Sequence, residues 1–154
     1  MNKTVSPFDE LFEFNKITLA LKKVIERNSW DQEAIMPTGA LEDRAEEQAS
    51  LMIIAHKRQT SGEFSDLLNS IEPEKLSKIE LRQFRLMKKD FTRALKVPTD
   101  LVGALAKETT LAHSVWVNSR KNNNFQQFFP YFSKVLELRK EEADAIRQGS
   151  GLSR

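Results

Sequence analysis

Apolar positions along this chain recur at spacings of three and four, separated by breaks of proline, glycine and small polar residues. Phe8, Leu11, Phe12, Phe14, Ile17, Leu21, Val24 and Ile25 form the first such run, the signature of an amphipathic helix. Ser6, Pro7 and Asp9 in front of it supply a hydroxyl cap, a proline at the first helical position and an acid three residues after the cap. This helix is expected to reach about Asn28. A second helix is expected from Thr38 or Gly39, with Leu41, Ala45, Ala49, Met52 and Ala55 on its apolar line. Its acids Glu42, Asp43, Glu46 and Glu47 come early, where the positive end of the dipole favours them. Gly62 suits a left-handed stop.

A short helix from about Glu63 to Asn69 would turn Phe64, Leu67 and Leu68 inward. Pro73 is expected to open a fourth helix carrying Leu76, Ile79, Phe84, Met87, Phe91, Ala94 and Leu95, which Pro98 ends. A fifth follows from about Asp100 through Leu101, Leu105, Ala112, Val115 and Trp116, and stops at Asn122, Asn123 and Asn124. The last helix begins in aromatic residues, with Pro130 in its first turn, and continues to Ile146. No strand pattern and no internal repeat occur. The expected fold is therefore all-α, an antiparallel helical bundle of about six helices joined by short turns. Residues 1–146 make the helical domain and residues 147–154, small and polar, read as a flexible tail.

Composition narrows the function. With 154 residues the chain is one domain in size, and 5 Gly, 5 Pro and 30% charged residues fit a helix-rich globular protein. The absence of Cys removes disulfides, thiolate zinc sites and thiol nucleophiles. Acids at positions 9, 10 and 13 stand where a secretory signal needs an apolar core, and the longest apolar run, Leu51–Ala55, is far too short to cross a bilayer. A cytoplasmic protein with no membrane association is expected. The net charge of +2 implies no nucleic-acid partner by itself.

Little catalytic chemistry is visible. His56 and His113 are the only histidines, and neither begins an HExxH nor ends an ExxH, so both are expected to be helix-face residues satisfied by a neighbour or by water. No glycine pattern forms a phosphate loop and no serine lies in a GxSxG elbow. The densest cluster is Trp30, Asp31, Gln32 and Glu33, just before a Met-Pro break. Its two acids at i and i+2 point to different sides of a helix, a poor arrangement for paired acid/base work. Here Trp30 is expected to anchor the end of the first helix while the acids cap or pair locally. Arg82, Arg85, Lys89, Arg93 and Lys96 form a basic stripe on the fourth helix, a candidate surface for phosphates. Glu80 and Asp90 nearby, and the lack of interleaved rings, favour ordinary solvation.

The stretch WDQEAIMPTGALEDRAEEQASL resembles the N-terminal signature of the carboxypeptidase Taq family, in which a WDQE segment precedes a Met-Pro and a helix with RAEQ-like residues. RQFRLMKKDFTRALKVPTDLVGALAKETTLAHSVW and NSRKNNNFQQFFPYFSKVLELRKEEADA follow that family's order of an arginine-rich helix, a VP turn, a spaced Trp, a basic-Asn-Phe link and an F.P helix start. The resemblance runs from about Phe8 to Ala145. Ala34 departs from it where the family usually has Thr, and so does the tail after Ala145.

The resemblance implies a zinc metallocarboxypeptidase that removes C-terminal residues from peptides, the metal polarising the scissile carbonyl and a glutamate acting as general base. It also implies that the HExxH helix, the third ligand and the carboxylate-gripping residues lie beyond this chain. The chain would be the N-terminal, cleft-covering region or a truncated homologue. Alone it would be inactive, with no catalytic, cofactor-binding or metal residue of its own. Trp30, Asp31, Gln32 and Glu33 become a candidate cleft lining or structural junction. Apolar stripes on the first and last helices would drive self-association or cover by the missing C-terminal portion. A non-catalytic interaction module is the alternative, and nucleic-acid binding through the fourth helix a third reading.

Overall fold

The computed structural model describes residues 6–148, which fold into five long helices, one two-turn helix and two 3-10 turns. Helix α1 spans Pro7–Ala34, α2 Leu41–Gln59, α3 Gly62–Asn69, α4 Lys78–Ala94, α5 Thr99–Lys121 and α6 Phe125–Arg147. The described residues contain no strand, as the spacing of apolar positions predicts.

Local chemistry accounts for most of the boundaries. The Ser6 hydroxyl accepts from the Asp9 amide while the Asp9 carboxylate accepts from Ser6, a reciprocal cap that starts α1 where expected. Three expectations fail locally. Gly62 is no left-handed stop: it is the first residue of α3, behind a Ser61 hydroxyl that accepts from the Phe64 amide. Helix α2 ends instead at Thr60, whose hydroxyl and amide both donate to the His56 carbonyl. Pro73 opens only a 3-10 turn, and α4 starts at Lys78 because Ser77 and Glu80 form a second reciprocal cap. Pro130 lies a turn inside α6, since Asn124 accepts from the Gln127 amide and begins the helix at Phe125. The carbonyl that Pro130 cannot serve belongs to exposed Gln126.

Packing is organised around α2 and α5. Ala45, Ala49 and Ala55 on α2 are buried and small, and Gly103 on α5 is buried against Ile53 of α2. A Cβ at Gly103 would stand 2.7 Å from Ile53 Cδ1, so the Ile53 side chain occupies the space that the glycine leaves open. Helix α1 lies along α2, and α6 along α5. Two apolar clusters result. Phe8, Leu11 and Phe14 of α1 meet Phe64, Leu68, Ile71 and Phe84 from α3, its following turn and α4. Val97, Leu101 and Leu105 meet Leu138 of α6 at the other cluster. Residues 149–154, most of the expected tail, lie outside the described residues, and Arg147 belongs to α6.

Candidate functional site

Helix α1 continues six residues past its expected end, so the Trp30–Glu33 cluster lies within the helix. Consecutive residues on a helix point about 100° apart, and this segment uses that rotation. Asp31 pairs with Arg44 of α2. Gln32 Nε2 donates to the Thr110 carbonyl at 3.2 Å and to Ser114 Oγ at 3.3 Å, both on α5. Glu33 lies 3.0 Å from His113 Nδ1, also on α5. The end of α1 is thus laced to both central helices, and the two acids face different neighbours as their spacing requires.

Those acids sit near the end of α1, where the negative end of the dipole disfavours them and the last turn holds no basic residue. Arg44 supplies the compensation. Its guanidinium, with the side chain 14% exposed, reaches Asp31, Glu47 at 3.2 Å and the Asn28 carbonyl at 2.7 Å. Trp30 does not anchor the helix end: it is 66% exposed. The reason is the same rotation, which turns Gln32 toward α5 and Asp31 toward α2 and leaves the indole on the outer face.

Each histidine has neighbours of its own. His56 has both ring nitrogens engaged, Nδ1 with Thr99 Oγ1 and Nε2 with the Ala94 carbonyl, each at 3.1 Å. His113 has one carboxylate beside it and the Trp116 ring 5.6 Å away. Among the described residues no three His, Cys, Asp or Glu converge to hold a metal ion. The donor set among the described residues therefore does not fit a catalytic zinc, which needs three protein ligands.

The basic stripe divides. Arg82, Arg85 and Lys89 lie exposed on α4, and Arg82 and Arg85 flank the same shallow hollow. Arg93 instead borders a groove over α2 and α5. Lys96 lies past the end of α4, and its ammonium donates to the Ile146 and Gln148 carbonyls at 3.0 and 3.1 Å. Lys96 is a cap for α6, placed where a cation suits the end of a helix.

That groove, about 550 Å³, has Lys22, Ile25 and Ser29 of α1 on one wall and Arg139 and Glu142 of α6 on the other. Gln48 in its lining is 4% exposed. Its amide nitrogen donates to Ser29 Oγ at 3.0 Å and to the Ile25 carbonyl at 3.3 Å, while Oε1 has no partner. The sequence does carry a signal for Gln48: it falls three residues after Ala45 and four before Met52, an amide on the apolar line of α2.

This all-α bundle matches a known class of protein. The family profile of the carboxypeptidase Taq (M32) metallopeptidases fits residues 10–154. The chain belongs to that family. The match continues through residues 147–154, which the sequence pattern sets apart as a tail. Thermostable carboxypeptidase 1 of Thermus thermophilus is 27% identical over 146 residues, covering 90% of this chain and 28% of that protein. The crystal structure of BsuCP superposes with a TM-score of 0.88 at 21% identity, over 96% of this chain and 29% of that one. An M32 carboxypeptidase from Deinococcus radiodurans gives 0.67 at 26% identity, over 94% and 29%. The chain spans well under a third of the length of these relatives. No helix among the described residues is long and apolar enough to cross a membrane.

Proposed function

We propose that this chain is the N-terminal, cleft-covering helical portion of an M32-type metallocarboxypeptidase, acting in the cytoplasm, which shapes the path of a peptide and contributes no zinc ligand. The observation that carries this reading is a family match over nearly the whole chain joined to a span of only 28% of a full-length relative. In such an enzyme the zinc would polarise the scissile carbonyl and activate water, and its ligands and general base would come from the part this chain does not span. What this chain's own residues do is structural. Arg44 holds the acidic end of α1 against α2, and Gln32 and Glu33 hold it against α5, so that the wall they form keeps one shape.

Exposed apolar residues on α1 and α6, among them Ile17, Leu19, Phe129 and Phe132, support cover by the remaining portion or by a second copy. Purified chain supplied with zinc is expected to release no C-terminal residue from peptides. Turnover that co-purifies with the chain and is abolished by a chelator would overturn the proposal.

A further inference from the structure

The turn between α5 and α6 holds a cup of about 580 Å³ that no part of the proposed function uses. Trp116, Phe125 and Phe128 line it together with Arg120, Asn123 and Asn124. Ser119 lies at its base, 3% exposed, with an Oγ that has no hydrogen-bond partner. The turn is closed tightly: the Asn124 amide donates to the Ser119 carbonyl at 2.8 Å, and Asn123 takes the left-handed φ of 50° in between.

Of the residues that line the cup, Arg120 alone is charged. From Thr109 to Leu136 the chain contains no Asp or Glu, while Arg120, Lys121 and Lys134 fall within that stretch. The first turn of α6 has no acid either, so the positive end of its dipole faces the turn uncompensated. Aromatic rings favour a planar apolar body, and a lone guanidinium pairs with a single negative charge through parallel N–H donors.

We infer that this cup binds a small aromatic carboxylate, of the kind presented by the C-terminal aromatic residue of a peptide. The ring lies against Trp116 and Phe128, and the carboxylate meets Arg120. That the natural ligand is a peptide end rests on the carboxypeptidase reading; the preference for an aromatic monoanion does not. A single cation with neutral amides suits a carboxylate better than a dianionic phosphate, which calls for more positive charge.

The test is a fluorescence titration in a Trp30→Phe background, where Trp116 is the sole indole. N-acetyl-L-phenylalanine is expected to give a saturable change with a Kd on the order of 1 mM. N-acetyl-L-phenylalaninamide, lacking the charge, should bind at least tenfold more weakly, and so should the acid to an Arg120→Gln chain. Arg120 is exposed, and an unchanged far-ultraviolet circular dichroism spectrum would verify that this variant folds. No saturable change, equal affinity for the amide, tighter binding of phenyl phosphate, or indifference to Arg120→Gln would each overturn the inference. Because the titration needs neither zinc nor turnover, its failure leaves the family-based reading standing. Peptidase activity of the chain alone would sink that reading without touching this one.

Discussion

Two helix starts in this chain are built from the same kind of residue and end in opposite environments. Helix α1 opens with Phe8, Phe12 and Phe14, and α6 with Phe125, Phe128, Phe129, Tyr131 and Phe132. Phe8 and Phe14 are buried because α3 and α4 close over them, with Phe14 and Phe64 stacked at 5.4 Å and Phe64 meeting Phe91 edge-on at 5.7 Å. The Arg58 guanidinium sits 3.8 Å above the Phe14 ring and seals that side. In α6 the rings mainly touch one another, at 5.8–6.2 Å, and Phe125 and Phe129 remain 58% and 50% exposed. Ring content alone therefore does not say which aromatic run makes a core and which makes a surface. What differs is whether a later element folds back across it.

The sharpest way to break this comparison is to remove one ring from each side. Phe64→Ala should lower stability by about 3–5 kcal/mol in chemical denaturation, since it empties the centre of a filled cluster. Phe129→Ala should change stability by less than about 0.5 kcal/mol, as ordinary for a surface position. It should nevertheless weaken self-association measured by light scattering, the role proposed for that face. A Phe129→Ala chain as unstable as Phe64→Ala would erase the distinction between the two regions.

A smaller effect is expected at the polar end of α1. Arg44→Ala should cost about 1–3 kcal/mol, because it strips partners from Asp31 and from the Asn28 carbonyl in a partly buried setting. Hydrogen exchange should rise at the end of α1 and leave its phenylalanine-rich start protected. Uniform loss of protection would show the two ends to be one cooperative unit.

The smallest effect concerns the cap of α4. Ser77→Ala should cost about 1 kcal/mol. Hydrogen bonds from the Ser77 side chain and amide hold the Glu80 carboxyl below its ordinary value of 4.5. A depressed carboxyl stabilises the fold above the unfolded pKa, and that contribution disappears as pH falls through the folded value. The stability difference between the wild type and Ser77→Ala should therefore shrink on acidification below about pH 4.5. A difference that grows in acid would contradict the cap.

Much of this architecture is legible in the residues. Ser6, Pro7 and Asp9 mark the first helix start because capping is chemistry among neighbours three residues apart. Ser77 and Glu80 carry the same signal four residues downstream of Pro73. The more conspicuous proline obscures it. The end of α1 is harder to read, because helical geometry there is held by Arg44, Thr110, Ser114 and His113, all distant along the chain. Trp30 is misjudged for the same reason: a large apolar ring normally marks burial, yet its three neighbours take the inward directions.

By itself the sequence determines the helices, their apolar faces and the family, because these depend on periodicity, on local caps and on ordered signatures. Only the tertiary structure decides which aromatic faces stay open and that Lys96 closes α6 rather than joining a basic stripe. Those outcomes depend on where elements far apart in the chain come to rest. A helix's own spacing specifies which residues share a face, and only packing specifies what that face meets.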